Sequence, residues 1–305
     1  MMMTMLRVAL AVGLLLASGS SFAAAPRTHF ASPETAIAVL VQAVRASDTA
    51  MLLAVLGPEA RTLVSSGDDV ADRQSRERFV RAYDEGHRLT PAGPGKLVLT
   101  VGKDEWPMPI PLVQDAGGWW FDTSEGREEI LNRRIGRNEL SAVQVCLAYV
   151  DAQREYYARD PDGDALLQYA QRFRSSPGKR DGLYWETQPG EAPSPLGLLV
   201  AKAEGAGYPV KRPGGPRIPY WGYYYRILKA QGPHAPGGAY DYVVRGHLIG
   251  GFALIAYPAE YGASGVMTFM VNHDGIVYQK DLGPSTTATA RALTTFDPDP
   301  TWKKF

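Results

Sequence analysis

A chain of 305 residues with 32 Lys+Arg against 32 Asp+Glu carries no net charge. That balance excludes a global field able to gather nucleic acid or an anionic membrane surface. A composition of 45% hydrophobic and 21% charged residues excludes wholesale disorder, and the length allows two domains.

Residues 1–25 read as a secretory signal peptide. Arg7 supplies a basic start, Val8 to Ala17 is apolar, and small residues follow. Both Ser21-Phe22-Ala23 and Ala23-Ala24-Ala25 satisfy a small-x-small cleavage rule. The alternative, a signal anchor, conflicts with a run too short to span a bilayer. No later stretch is long and apolar enough to span either, so no transmembrane anchor is expected after leader removal. The expected location is the periplasm, with the exterior second. The lone cysteine, Cys146, excludes an intramolecular disulfide and a multi-cysteine zinc site. A buried, inert thiol is expected of it in an oxidising compartment.

Residues 26–135 read as an N-terminal α+β domain, with helices first and a curved antiparallel sheet after. Ser32 is a good N-cap before Pro33 and Glu34, and Ile37, Leu40, Val41 and Val44 recur at helical spacing. Asp48 caps a second helix ended by Gly57-Pro58, a third ends at Gly67, and a fourth covers 72–85. The period then changes to alternation over 97–101, 110–114 and 119–122. Pro107, Pro109 and Pro111 stand at every second position, which predicts one shared face on an edge strand. The opening Ser32-Pro33-Glu34-Thr35-Ala36, with Ser47-Asp48 following, resembles the start of cone-shaped nuclear-transport-factor-2-like domains and implies a cone-like fold.

Residues 136–305 read as a second α+β domain, a long helix packed on an antiparallel four-stranded sheet. The boundary is placed at Gly136, with Asn138 as N-cap of a helix over 138–160. Leu140, Val143, Leu147, Val150 and Tyr157 form its apolar stripe, and Cys146 borders it. A helical patch is expected over 165–173, followed by loops punctuated by Pro189-Gly190, Pro193, Pro195 and Pro213-Gly214-Gly215-Pro216. Strands are expected over 220–230, 240–244, 252–257, 266–271 and 276–280. In the first, Trp221, Tyr223, Tyr225 and Ile227 share a face.

Several runs are similar to a bacterial envelope family, the domain-of-unknown-function group numbered 2950. They are Arg133-Arg134-Ile135-Gly136-Arg137-Asn138-Glu139-Leu140, Gly178 to Trp185, Ser194-Pro195-Leu196-Gly197, Gly222 to Leu228 and Phe252 to Tyr261. The resemblance covers nearly all of the mature chain. It implies secretion in Gram-negative bacteria and a shared fold, and no catalytic residues to carry over. Residues 138–283 also resemble the globular heads of pilins and pseudopilins. The helix nevertheless stands behind another domain and carries Gln144, Asp151, Gln153, Arg154 and Glu155, so filament assembly is not implied.

Catalytic signatures are sparse. His29, His87, His234, His247 and His273 include no helical i,i+4 pair, so neither a metal nor another cofactor is expected. Gly262-Ala263-Ser264-Gly265-Val266 lacks the last glycine of a nucleophile elbow, and Gly178-Lys179 lacks the rest of a phosphate loop. The binding candidates are Lys179, Arg180 and Asp181 beside Tyr184 and Trp185, together with Trp221, Tyr223 and Tyr225. Arg180 could fork onto a carboxylate or phosphate with Trp185 as a stacking platform, or simply brace its loop. Arg133, Arg134 and Arg137 at the domain junction form a further candidate cluster, or else a solvated, salt-bridged interdomain hinge. The tyrosines offer either ordinary sheet packing or a surface for a peptide, a glycan or an envelope protein. Together these favour a non-catalytic binding module. The alternative is a periplasmic hydrolase drawing paired carboxylates from Asp181, Glu186, Asp241 and Glu260.

Overall fold

The computed structural model describes residues 28–161, 163, 165–209 and 217–305. The leader over 1–25 and the Pro213–Pro216 punctuation lie outside the described residues.

Side-chain caps start the first helices. Helix α1 (Pro33–Ala46) begins where the Ser32 hydroxyl accepts the Thr35 N–H at 3.2 Å. Helix α2 (Thr49–Leu56) begins where the Asp48 carboxylate accepts the Met51 N–H at 2.9 Å. Such caps satisfy amides that a helix start leaves without partners. A 3-10 turn (Pro58–Ala60), α3 (Arg61–Val64) and α4 (Asp69–Glu85) follow. Strands β1 (His87–Gly93), β2 (Lys96–Val101), β3 (Trp106–Pro107), β4 (Leu112–Asp115) and β5 (Gly118–Phe121) form an antiparallel sheet. Its order is β1-β2-β4-β5, with β3 against β2. Of the three alternating prolines only Pro107 lies in a strand, and Pro107 is exposed while Pro111 is buried. Ile37, Leu40, Leu52, Leu99, Ile110 and Phe121 fill the core between helices and sheet.

Helix α5 (Thr123–Arg159) then runs for 37 residues, straight through the expected boundary. Gly136 is a helical residue, and Asn138 is no cap. Asn138 is buried in mid-helix, and its side-chain amide donates to the Ser264 carbonyl at 2.9 Å. The first turns of α5 are polar and contain two glycines, which hides the helix from a periodicity reading. Gly126 is required there, because a Cβ would stand 2.4 Å from the Pro109 backbone. The buried stripe is also rotated from the expected one. Val143 and Val150 are buried, but Leu140 and Leu147 are 58% and 42% exposed. Ala142, Cys146, Tyr149, Ala152 and Tyr156 take the inner face instead. Small residues alternating with tyrosine let the helix lie close to the sheet.

The expected helical patch over 165–173 is irregular, not helical, with an isolated bridge Tyr169–Leu248 within it and another, Arg174–Tyr184, just after it. Within the loop-rich stretch the chain forms an unforeseen helix, α6 (Gly197–Gly205). Strand β6 (Tyr223–Leu228) follows, then the short strands β7 (Ala230–Gln231), β8 (Tyr240–Asp241), β9 (Val243–Val244) and β10 (His247–Leu248). Strands β11 (Ala253–Pro258), β12 (Met267–Asn272) and β13 (Val277–Asp281), helix α7 (Thr286–Ala292) and β14 (Lys303–Lys304) complete the chain. The second sheet is antiparallel in the order β14-β13-β12-β11-β6. The terminal lysines therefore add a fifth strand to the expected meander. Trp221 stands in the turn before β6 with φ 51°, not on the strand face. Helix α5 covers one face of the sheet. On the other face Arg226 donates to the Ala290 carbonyl of α7 at 2.8 Å. The fold class is α+β, with two hydrophobic cores among the described residues.

Buried polar groups join the two bodies. Asp68, the N-cap of α4, is 1% exposed. It accepts the Ala71 N–H at 3.0 Å, the Gly222 N–H at 2.8 Å and the Tyr208 hydroxyl at 2.9 Å. Arg134 of α5 donates to the Thr62 carbonyl at 2.6 Å and to the Leu63 carbonyl, closing the end of α3. Burial lowers the Arg134 pKa. Arg134 is thus held against backbone carbonyls and not in a solvated salt bridge.

Candidate functional site

A cleft of about 540 Å³ opens along β6. Val145 and Tyr149 of α5 contribute to its lining, and Leu199, Val200 and Ala203 of α6 form a wall. The segment 171–174, with Tyr184, forms a second wall, and Tyr208, Ile218 and Tyr220 lie at the near end of β6. The volume lies within the range of small-ligand sites, and the lining is mostly apolar and aromatic with a few polar groups, as such sites are.

Strand β6 is an edge strand, and its free side lies along this cleft. The Gly222 carbonyl faces β11, accepting the Ala259 N–H at 2.8 Å. Tyr223 faces the opposite way and exchanges both main-chain bonds with Tyr220, at 2.8 and 3.2 Å. Further along, the Lys229 carbonyl accepts the Tyr242 N–H at 2.8 Å on that same outer side. Main-chain direction alternates along a strand. Tyr225 and Ile227, between these two fixed points, therefore turn their N–H and C=O groups outward. Neither finds a main-chain partner among the described residues.

The charge of the lining is one-sided. Arg172 pairs with Asp181 at 3.5 Å and Arg174 with Glu186 at 2.8 Å. Arg217, Arg226 and Lys229 have no carboxylate partner among the described residues. Arg217 donates to the Tyr257 hydroxyl at 3.2 Å and Lys229 to the Gln171 amide oxygen at 2.8 Å. Arg226 reaches the Ala290 and Leu293 carbonyls, while its Nε is buried without a partner. Burial lowers the Arg226 pKa, and the nearby Arg217 charge acts in the same direction. Among the described residues, Glu204 is the single carboxylate in the lining. Burial holds the phenols of Tyr208 and Tyr225 well above their ordinary value, so they serve as neutral hydrogen-bonding groups.

Of the eight residues singled out from sequence, Tyr184 and Tyr225 line this cleft. Tyr223 does not belong to a surface. It is fully buried under α5, and its hydroxyl donates to the Met267 carbonyl at 2.9 Å. A tyrosine whose ring packs inward and whose hydroxyl is satisfied by a carbonyl is a core residue. Trp221 is half-buried beside Tyr208, at 6.0 Å between rings. Lys179, Arg180, Asp181 and Trp185 lie outside the lining. Arg180 pairs with Glu191 and lies over Trp185 at 5.5 Å. Asp181 accepts the Ser176 N–H at 2.7 Å and its hydroxyl at 2.9 Å. Burial pushes the Asp181 carboxyl up, but these bonds and Arg172 outweigh it and hold the group below the usual carboxylate value. Arg180 and Asp181 thus tie loop residues together.

Arg217, Arg226, Lys229 and α6 escaped the sequence reading. Arg226 could have been found as the one charged residue inside an otherwise apolar and aromatic strand. Helix α6 lies among prolines and glycines that read as loop.

A family model described as Protein of unknown function (DUF2950) matches residues 27–305. No curated protein matches the chain, and no solved structure does.

Proposed function

The chain belongs to the DUF2950 family, and we propose that it is a non-catalytic binding module of the bacterial periplasm, whose β6 cleft takes a ligand with an apolar body and an acidic group. One observation carries this reading. Among the described residues, an apolar, aromatic cleft presents Arg217, Arg226 and Lys229 without carboxylate partners and holds Glu204 as its single acid. Arg217 and Lys229 are exposed at the edge of the cleft and Arg226 is half-buried; guanidinium groups beside an apolar surface favour a carboxylate. The hydrolase alternative needs two converging carboxylates about 5–10 Å apart. None of Asp181, Glu186, Asp241 and Glu260 lines the cleft, and the first two are engaged in braces. The secretory leader supports export. No helix among the described residues is long and apolar enough to cross a membrane.

The test is titration with dodecanoate, which has an apolar body and a carboxylate, followed by calorimetry and by intrinsic tryptophan fluorescence. Saturable binding is expected, weakened roughly tenfold or more in Arg217→Gln by loss of a charge-assisted bond. Binding indifferent to Arg217→Gln would count against the cleft, as would none at all. Fractionation of cells should place the processed chain in the periplasmic fraction.

A further inference from the structure

We propose that the physiological ligand is an extended acidic peptide segment, which enters the cleft as an added strand on the free edge of β6. The inference deepens the binding reading and rests on it. Tyr225 and Ile227 present two N–H and two C=O groups on one line, at the period-two spacing of a strand. Another extended main chain matches that pattern bond for bond. Such edges are the docking rails of strand-addition complexes, in which main-chain bonds give affinity and flanking pockets give specificity.

Among the described residues, the edge is open only where the cleft lies. Tyr220 closes it at Tyr223, and Tyr242 closes it at Lys229. The open stretch from Tyr225 to Ile227 is about 7 Å long at a rise near 3.4 Å per residue. It therefore fits a short segment and not a long sheet-forming partner. Side chains flank both sides of an incoming strand. Tyr225 and Ile227 point toward α5, and Tyr224 and Arg226 toward α7, all four at the cleft. Charge selects the peptide. Among the described residues, Arg217, Arg226 and Lys229 lack acidic partners, so an incoming Asp, Glu or C-terminal carboxylate completes them.

The experiment uses the mature protein and a pool of acetylated pentapeptides, randomised at four positions and ending in Asp. Retained species are read by mass spectrometry and resynthesised. Each is then remade with single N-methyl groups along its backbone, which delete one N–H at a time. Methylation at alternate positions should abolish retention, while methylation at the intervening positions should be tolerated. In the protein, Ile227→Pro removes an outward N–H without touching the β6–β11 ladder, where an edge strand tolerates proline. It should weaken the peptide at least about tenfold more than Ile227→Ala, which keeps the amide. Retention indifferent to methylation at every position overturns strand addition, as does selection of neutral or basic peptides from a pool lacking the fixed Asp. Dodecanoate binding with no peptide retained overturns strand addition and leaves the binding reading standing. Failure of both probes overturns both. The methylation series requires no protein variant, so it decides the question even if Ile227→Pro does not fold.

Discussion

Replacing Asp68 should destabilise the whole chain and not helix α4 alone. Asp68→Ala removes an N-cap to Ala71, which costs about 1 kcal/mol. It also strips the Gly222 N–H and the Tyr208 hydroxyl of their acceptor in a buried site, at about 1–3 kcal/mol each. The sum is about 3–7 kcal/mol, a large fraction of a domain's stability. Tyr208→Phe removes one bond to Asp68 and leaves the Trp221 N–H, now 3.1 Å from the phenol oxygen, without an acceptor. The two residues share a charge-assisted bond, so the double variant should lose about 1.5–3 kcal/mol less than the sum of the singles. Urea unfolding of the four proteins at neutral pH, followed by tryptophan fluorescence, measures that coupling. Additivity within about 0.5 kcal/mol would refute the bond as the joint between the bodies.

The two glycines of α5 should behave oppositely in thermal melts. Gly136→Ala should stabilise by about 0.5–1 kcal/mol, because the helix gains propensity and a Cβ there meets nothing within 4 Å. Gly126→Ala should destabilise by about 1–3 kcal/mol, because its Cβ would press on the Pro109 backbone. Burial pushes the Cys146 thiol up to about 12 from an ordinary 9.0, so a thiol reagent at pH 8 should modify it only after unfolding. The raised value belongs to the folded state. Its stabilisation is thus complete below pH 9 and falls as pH rises toward 12, by up to about 1.4 kcal/mol per unit. Cys146→Ala should flatten the decline between pH 9 and 10, and an unchanged slope would contradict this assignment.

Local chemistry was legible where a single residue decides the outcome. Ser32 and Asp48 are caps in sequence and caps in space, because a side-chain oxygen before an apolar period has little else to do. In the N-terminal body the order of helices and then strands was legible too, whereas α6 and α7 of the second body were not. The extent and rotation of α5 were not. Its polar first turns are held by tertiary contacts such as Arg134 to the α3 carbonyls, which no local pattern announces. Its inner face is chosen by closeness of approach, so Ala142 and Cys146 displace Leu140 and Leu147 from the position hydrophobicity alone would assign. The lining of the cleft was legible only in part. The tyrosine-rich strand runs along it, but only the fold decides that Tyr225 meets the cleft while Tyr223, two residues earlier on the same face, is sealed under the helix.

A helix that continues from one core into the next leaves no clean place for scissors. A gene cut at residue 136 would hand each half a broken rod, with Asn138 parted from the turns before it and Arg134 from those after. Neither product should be recovered intact from expression alone. A cut before Thr123, which keeps the rod whole with the C-terminal body, is the division to attempt.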